Sequence, residues 1–244
     1  MTVDTYKKLV RLYVPESELI SGKKCFLSNG QTHYLRNVMR KTAGDALRVF
    51  NGHDGEWVAQ IEELNKNKIL INLDHKIHEQ KNSTDIWVLA SPIKKESLDL
   101  MVQKSCELGA AKFIPLICEH TVVHKINQER LQAISTEAAE QSERLDVMLV
   151  EPLTSLRNYS GLNGYDRNLI VCLERTGEAS LVKVAQTLSG KPVGILVGPE
   201  GGFSSQDIDF IRNLKHVYPV SLGPRILKTE TALISALSCI QLIS

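Results

Sequence analysis

The sequence lacks the features that mark membrane, secreted and extended proteins. No segment approaches the roughly 18 consecutive apolar residues of a transmembrane helix, so we predict no membrane association. The N-terminal residues contain neither an apolar core nor a small-residue cleavage site, so we expect no signal peptide. Hydrophobic residues make up 43% and charged residues 23% of the 244 positions, which excludes disordered and fibrous classes.

The chain also has few cysteines, and their arrangement argues against disulfides and metal. The five are odd in number, scattered and without a C-x-x-C pair, which predicts reduced thiols and a cytoplasmic protein. His120 and His124 stand beside Cys118 and Glu119 with a spacing that superficially resembles a zinc site. Because no H-E-x-x-H motif is present and the segment follows a predicted strand, we expect loop histidines and no metal site.

Net charge is nearly absent, at a formal +1, but the basic residues are unevenly distributed. Residues 1–48 carry nine Lys and Arg against four Asp and Glu, a net charge of +5, whereas the remainder carries −4. A basic N-terminal module on a mildly acidic body is compatible with a polyanion-binding surface or with an ordinary solvated one. The distribution therefore leaves nucleic acid open, although the total alone argues against it.

Hydrophobic periodicity divides the chain into two parts, with a boundary in the polar stretch 78–84. The first domain, residues 1–75, has short apolar runs separated by turns, which is typical of a small β-barrel. Its predicted elements are strands at 10–14, 46–50, 57–61 and 69–73, a helix at 31–39 and a hairpin turn at 51–55. The second domain, residues 80–244, alternates strands with helices, which predicts an α/β fold with a mostly parallel sheet. Its predicted strands are 86–90, 113–117, 147–150, 169–173, 193–197 and 217–222, and its predicted helices are 98–108, 128–145, 180–188, 205–214 and 230–243.

Two glycine-rich segments follow predicted strands in the second domain. In residues 193–207 an apolar strand ends at Gly198, two more glycines follow, and a helix begins. Ligands bind α/β proteins at the carboxyl ends of strands, and glycine lets the backbone approach them closely. The spacing fits neither the dinucleotide fingerprint nor the P-loop, which argues against an NAD-type enzyme and a P-loop nucleotide site. A plain turn between strand and helix is the alternative.

The second segment, residues 217–232, repeats this arrangement with a strand that ends at Gly223. The apolar pair Ile226 and Leu227 suits a flat aromatic ligand such as adenine, and Arg225 and Glu230 suit charged ligand ends. A salt-bridged helix start is an equally good interpretation, because Glu is favoured at that position in any helix.

Together the two segments resemble the RsmE family, the 16S ribosomal RNA (uracil-N3)-methyltransferases of the SPOUT superfamily. Gly-Pro-Glu-Gly-Gly at 198–202 is followed by Leu-Gly-Pro-Arg-Ile-Leu-Lys-Thr-Glu-Thr-Ala at 222–232. Further matches lie in the same order along essentially the whole chain: residues 11–13, 33, 38–40, 103–104, 107–109, 138–142 and 144. Lys228 and His120 stand where the family usually has Arg, and Asn37 stands where a basic residue is common.

The resemblance implies a PUA-like, RNA-binding β-barrel followed by a SPOUT-type parallel sheet with a C-terminal trefoil knot. It also implies a homodimer with sites at the subunit interface, S-adenosylmethionine as cofactor, and 16S rRNA or the small ribosomal subunit as substrate. It implies catalytic roles for Arg225, Thr229 and Glu230. The cofactor-binding residues that it implies are Leu173, Val197, Gly198, Glu200, Gly201, Gly202, Leu222, Gly223, Ile226, Leu227 and Thr231. The RNA-binding residues that it implies are Arg11, His33, Arg36, Arg40, Lys94 and Arg144.

The implied reaction places demands on the site. N3 of uracil lies on the Watson–Crick edge, so the base must be unpaired before a methyl group can reach it. We expect Arg225 to stabilise the developing uracil anion and either Glu200 or Glu230 to accept the proton. A SPOUT-type enzyme with another RNA target and a catalytically idle RNA-binding protein are the alternatives, and cofactor binding distinguishes the latter.

Overall fold

The computed structural model describes residues 6–66, 68–81, 83–162, 167–173 and 179–243. The chain divides into two compact units, residues 1–82 with 139–146 and residues 83–138 with 147–244. The change between the units at residue 82 falls within the polar stretch that the sequence predicts as a boundary. The first unit also holds 139–146, which sequence analysis placed in the second domain.

The first unit is built on a five-stranded sheet. Its strands are β1 (Arg11–Tyr13), β2 (Lys24–Phe26), β3 (Ala46–Phe50), β4 (Glu56–Leu64) and β5 (Ile69–His78). Their order is β1-β3-β4-β5-β2, with β1 parallel to β3 and the other pairs antiparallel. Three register shifts interrupt the pairing of β4 with β5, and such bulges bend a strand and increase its twist. The pairings described do not join β1 to β2, so the structure shows a sheet with two edge strands where the sequence predicts a barrel.

In this unit the predicted hairpin turn is present in the structure, whereas the predicted helix has different bounds and a different form. The turn at 51–55 is confirmed, because β3 and β4 pair antiparallel across it and the Asn51 side chain accepts hydrogen bonds from His53 and Asp54 N–H. The helix predicted at 31–39 is instead a short α1 (Asn29–His33) followed by a π-helix (Tyr34–Val38). Ser28 caps α1 in a capping box with Gln31, which explains the earlier start.

A buried arginine connects the sheet of the first unit to residues 139–146. Arg11 is 5% exposed; its Nε donates to Glu56 Oε1 at 2.5 Å and its Nη1 donates to the Ala139 carbonyl at 2.9 Å. Its Nη2 donates to the Arg144 carbonyl, and the guanidinium lies 3.9 Å from the centroid of the Phe50 ring. Every nitrogen of this guanidinium therefore has a partner inside the unit.

Glu56 is the centre of this network and is only 1% exposed. Besides Arg11, its carboxylate pairs with Arg48 Nη1 at 3.5 Å and with His78 Nδ1 at 2.7 Å. Arg48 also pairs with Glu143 at 2.9 Å. A buried carboxylate is tolerated only when cations and donors surround it, so these contacts are a condition for folding this unit.

The second unit is a parallel sheet with helices between its strands. Its strands are β6 (Ile86–Ala90), β7 (Lys112–Ile117), β8 (Leu149–Val150), β9 (Thr154–Ser155), β10 (Asn168–Cys172), β11 (Ala179–Ser180), β12 (Val193–Val197) and β13 (Val217–Ser221). Its helices are α2 (Lys95–Glu107), α3 (Gln128–Gln141, whose last residues belong to the first unit), α4 (Leu181–Leu188), α5 (Ser205–Arg212) and α6 (Thr229–Ile243). The main order is β11-β13-β10-β12-β6-β7-β8, with β9 paired to β7.

The predicted α/β class with a mostly parallel sheet is confirmed in this unit, where every described strand pair is parallel. The strands are apolar because helices cover the sheet; all five residues of β12 are buried. Strands β12 and β13 are consecutive in the chain but lie on opposite sides of β10. The carboxyl ends of β13, β10 and β12 are therefore side by side.

Across the described part of the chain, no helix is both long and apolar enough to cross a membrane.

Candidate active site

A cavity of about 690 Å³ lies where β10, β12 and β13 end. Its lining comes from the residues that follow these strands and from α5 and the start of α6: Cys172, Leu173, Gly198, Pro199, Gly201, Gly202, Phe203, Ile208, Arg212, Ser221, Leu222, Gly223, Pro224, Arg225, Ile226, Leu227, Thr229 and Ala232. The volume is typical of small-molecule sites, which span about 300–1,000 Å³. The two glycine-rich segments singled out from the sequence thus line one cavity.

The first glycine-rich loop is held from outside the cavity. His120 Nδ1 lies 3.2 Å from the carbonyl oxygens of both Gly201 and Gly202, so this nitrogen carries the proton and donates to them. At the end of the loop, Ser204 caps α5 in a capping box with Asp207. Because carbonyls of the loop are already bonded to His120, its conformation is fixed before a ligand enters.

The second loop is joined to the first by a buried hydrogen bond. Thr229 Oγ1 donates to the Gly198 carbonyl at 3.2 Å. Gly223 has φ +114°, a conformation that residues with a Cβ rarely adopt, and its N–H donates to Ser221 Oγ at 3.3 Å. Ile226 is 55% exposed although apolar, so this loop presents an apolar side chain to the cavity.

The charge of the cavity is positive. Arg212 and Arg225 are the charged side chains among its described lining residues, and both are exposed. Neither guanidinium has an ion pair or hydrogen bond to another described residue. Cations without a protein partner that line a ligand-sized cavity are suited to anionic groups of ligands or to charge that develops in a transition state.

Cys172 adds a nucleophile to the lining, but an inactive one. Burial raises the pKa of its thiol to about 12, so the thiol stays protonated near neutral pH. A protonated thiol is a weak nucleophile and does not compete for an electrophilic ligand.

Not every predicted site residue lines the cavity. Of the cofactor-binding set, Val197 is buried at the end of β12, while Glu200 and Thr231 are exposed beside the lining residues. The predicted catalytic Glu230 is also outside the lining and accepts a hydrogen bond from Ser97 Oγ at 3.5 Å. The cavity lining includes Arg225, Thr229 and the other eight predicted cofactor-binding residues. The roles of all these residues remain predictions.

Four of the six predicted RNA-binding side chains, those of His33, Arg36, Arg40 and Lys94, belong to exposed residues. Arg11 differs from these four, because its guanidinium is buried and bonded inside its own unit, which argues against a phosphate contact there. Arg144 has a side chain that is 8% exposed and paired with Asp146 at 3.0 Å, which argues against a phosphate contact there.

Sequence reasoning missed Phe203, Ile208 and Arg212 as lining residues. The spacing of Ile208 and Arg212, four apart on α5, puts them on one helix face and was a usable signal. Arg212 was easily overlooked because a cation in the last turn of a helix is favoured by the helix dipole alone.

The zinc alternative gains no support from the geometry. Among the described residues, no group of three or more His, Cys, Asp and Glu side chains is placed to hold a metal ion. His120, the histidine that suggested such a site, faces the carbonyls of the glycine-rich loop, and Cys118 is hydrogen bonded with Ser91 Oγ at 3.2 Å.

Models of known protein families match both parts of the chain. Residues 80–241 match the family described as RNA methyltransferase domain, and residues 27–74 match the RNA methyltransferase PUA domain. A ribosomal RNA small subunit methyltransferase E of Rickettsia conorii is 33% identical over 97% of this chain and 96% of its own length.

Two solved structures have the same fold over nearly the whole chain. The ribosomal RNA small subunit methyltransferase E of Neisseria gonorrhoeae, bound to S-adenosylmethionine, has a TM-score of 0.86 and 28% identity, covering 96% of this chain and 98% of its own. A methyltransferase of Legionella pneumophila with the same bound cofactor has a TM-score of 0.86 and 29% identity over the same shares. From these matches and the cavity geometry, the chain belongs to the ribosomal RNA small subunit methyltransferase E family.

Proposed function

We propose that the protein transfers a methyl group from S-adenosylmethionine to N3 of a specific uridine in the 16S rRNA of the small ribosomal subunit. The observation that carries this proposal is the cavity at the three strand ends, with its apolar Ile226 and Leu227, its glycine loop bonded to His120 and its two arginines without partners among the described residues. The names of the relatives support rRNA of the small subunit as substrate. The choice of uracil N3 rests on the family resemblance of residues 198–202 and 222–232.

The cavity fits S-adenosylmethionine on two local observations. A Cβ built on Gly198 would lie 3.1 Å from ring atoms of Phe203, closer than ordinary van der Waals contact, so glycine leaves room for this ring against the loop. The exposed Ile226 and the neighbouring Leu227 offer apolar surface for an adenine ring. Backbone groups of 198–202 and 222–223 would hold the polar edges of the cofactor. When bound, S-adenosylmethionine supplies a methyl group on a sulfonium, which is activated for transfer without a metal.

Arg225 is the residue that we assign to transition-state stabilisation. Its guanidinium lines the cavity and has no partner among the described residues, so it is available to a substrate oxygen. As N3 loses its proton, negative charge spreads onto the uracil carbonyls, where a fixed cation lowers its energy. Thr229 acts differently, because its hydroxyl is already donated to Gly198 and keeps the two loops in register.

The proton from N3 has two predicted acceptors, Glu200 and Glu230. Neither carboxylate lines the cavity, and Glu230 is bonded to Ser97, so either would have to approach the bound base. Arg225 eases this demand, since a nearby cation lowers the pKa of the group that becomes an anion. Cys172 is excluded from the role, because burial raises its thiol pKa to about 12.

The cofactor assignment is tested by Gly223→Ala. We expect the dissociation constant for S-adenosylmethionine, measured by titration calorimetry, to rise about 10-fold or more. Alanine at φ +114° strains the backbone by about 1–3 kcal/mol, and the loop relieves this strain by leaving the conformation that lines the cavity. A wild-type chain that binds no S-adenosylmethionine would contradict the proposed function itself.

Gly190→Ala is the matched control for this variant. Gly190 also has positive φ, +72°, an added Cβ there also meets nothing within 4 Å, and it lies after α4 outside the cavity lining. We expect a comparable loss of thermal stability but a cofactor affinity within about twofold of wild type. Equal weakening by both variants would show that the effect is general destabilisation and would contradict the assignment.

The exposed basic residues of the first unit are proposed to bind RNA, and Arg40 offers the cleanest test. Arg40 follows the π-helix with φ +52°, a position where glycine is the usual residue. We expect Arg40→Gly to lower the slope of log affinity against log salt by about one unit, the effect of one lost phosphate contact. The free energy of unfolding should stay equal or rise by up to about 1 kcal/mol, because glycine adopts this conformation without strain.

His216→Gly serves as the control for Arg40→Gly. His216 is also an exposed residue with positive φ, +56°, but it belongs to the second unit. This variant should show the same small effect on unfolding and an unchanged salt dependence of RNA binding. An Arg40→Gly protein with wild-type salt dependence would remove Arg40 from the proposed RNA surface.

We further propose that the chain folds into the domains 1–75 and 80–244, with the trefoil knot formed around β10. The position of β12 and β13 on opposite sides of β10 supports a chain path of that kind. We propose a homodimer in the cytoplasm, where ribosomal subunits assemble. Val182 on α4 and Leu242 on α6 are exposed apolar side chains that a subunit interface would cover. Sedimentation equilibrium measures the oligomeric state directly.

A further inference from the structure

Phe26 is a large aromatic side chain that the first unit leaves 57% exposed. It ends β2, an edge strand of the five-stranded sheet, and its backbone pairs with Leu70 of β5. Its neighbour Leu27 is buried in the core, so the chain could bury apolar residues here but does not bury Phe26. An exposed phenylalanine contributes little to folding, so its ring is available to a ligand.

One basic group contacts this ring, and two more belong to the neighbouring turn and π-helix. Lys68 Nζ lies 4.4 Å from the centroid of the Phe26 ring. Lys66, on the same turn between β4 and β5, accepts a hydrogen bond at its carbonyl from Arg36 Nη1 at 2.9 Å. The contact with Arg36 connects this turn to the π-helix, so the three cations and the ring belong to one continuous part of the surface.

The segment from β2 through the end of the π-helix is rich in cations. Residues 24–41 contain four Lys and Arg and no Asp or Glu. Of the two acids on the neighbouring part of β4, Glu62 is bonded to Lys24 at 2.5 Å, and Glu63 pairs with Leu70, the residue that also pairs with Phe26. Even with Glu63 counted against them, Arg36, Lys66 and Lys68 leave a net positive charge near an exposed aromatic ring, which is complementary to a polyanion that also presents flat, unpaired rings.

We propose that Phe26, Arg36, Lys66 and Lys68, here called the Phe26 surface, bind single-stranded RNA by stacking an unpaired base on the Phe26 ring. The three cations contact the phosphates on either side of that base. Single-stranded RNA is the occupant because a paired base has no free face to stack on a side chain, whereas every unpaired base has one. The inference rests on the proposed RNA substrate and adds a second RNA contact, on the first unit, that distinguishes single-stranded from paired RNA.

The experiment compares Phe26→Ala, Phe26→Trp and Ile20→Ala by fluorescence anisotropy with a labelled oligouridylate and with an RNA duplex of equal length. Ile20 is the matched control, because it is an apolar residue of the same unit with 49% exposure. We expect Phe26→Ala to weaken oligouridylate binding about 5- to 100-fold, the range for loss of one stacked base, and Ile20→Ala to leave it within twofold. Phe26→Trp should retain the affinity and show quenching of the new indole when oligouridylate binds.

The outcomes separate the stacking inference from the proposed function. Stacking is overturned if Phe26→Ala binds oligouridylate as wild type does, or if it loses affinity for the duplex to the same extent. It is also overturned if Phe26→Trp binds as weakly as the alanine variant. A wild-type protein that binds neither RNA would instead contradict the RNA substrate itself. Thermal unfolding of each variant confirms that a change in affinity arises from the surface and not from loss of folding.

Discussion

Replacing Arg225 by alanine is expected to lower the rate of methyl transfer to 16S rRNA by about 10²- to 10³-fold, the usual effect of removing one group that stabilises an oxyanion. The guanidinium lines the cavity and has no partner among the described residues, so its removal leaves no buried carboxylate behind. Stability should therefore change little. Affinity for S-adenosylmethionine should also change only a few-fold, since Arg225 acts on the uracil.

Two companion variants sharpen this prediction. Arg225→Lys keeps the charge but loses the planar pair of donors, so it should recover only part of the rate. Arg157→Ala removes an exposed arginine of the same unit that bonds to Gln206 outside the cavity, and it should leave the rate unchanged. Near-wild-type single-turnover transfer by Arg225→Ala would remove this residue from the mechanism.

Replacing Arg11 by alanine is expected to destabilise the first unit by about 3–5 kcal/mol, the cost of leaving a buried charge without its partner. Glu56 would keep only the 3.5 Å contact with Arg48 and the bond from His78, while the carbonyls of Ala139 and Arg144 would lose their donor. Urea unfolding followed by circular dichroism and by the fluorescence of the buried Trp57 measures the change.

The control for Arg11 is an exposed ion pair of the same unit. Lys24→Ala breaks the bond to Glu62, whose partners are 50% and 37% exposed, and should cost less than about 1 kcal/mol. If Arg11→Ala were as stable as Lys24→Ala but bound RNA weakly, the buried network would be the wrong explanation. The RNA role predicted from the sequence would then be restored.

Most regular elements were predictable because their apolar residues follow a simple period. Strands β3, β6 and β12 were predicted to the residue, since each is a mainly apolar segment, interrupted only by Arg48 in β3, with polar or turn residues on both sides. Strand β2 was missed because three residues with exposed, half-buried and exposed side chains give no pattern. Strands β4 and β5 extend beyond the predicted ends because their backbone pairing continues through polar, exposed side chains.

The convergence of the two glycine loops was predictable, whereas several individual roles were not. Parallel strands with similar connections end on the same edge of a sheet, so two predicted strands that end at Gly198 and Gly223 can bring their loops to one place. Which face of α6 Glu230 occupies depends on packing against α2, where Ser97 bonds to it. Such contacts join residues more than a hundred positions apart and leave no local trace in the sequence.

Arg11 is a second case in which contacts between distant residues could not be predicted from the sequence. From the sequence it is one of nine cations in residues 1–48 and a fair candidate for binding phosphate. Its actual partners lie 45, 128 and 133 positions away, and a single sequence does not reveal such pairings. The positive charge of the first 48 residues therefore overstates what RNA can contact, because the guanidinium of Arg11 is buried.

Methyl transfer to uracil N3 is measured by incubating the protein with methyl-labelled S-adenosylmethionine and small ribosomal subunits from cells that lack this enzyme. The 16S rRNA is then digested and its nucleosides are separated by mass spectrometry. We expect label in N3-methyluridine at one position, where reverse transcriptase stops, and loss of that label with Arg225→Ala. Label in another nucleoside, or no label in 16S rRNA at all, would contradict it.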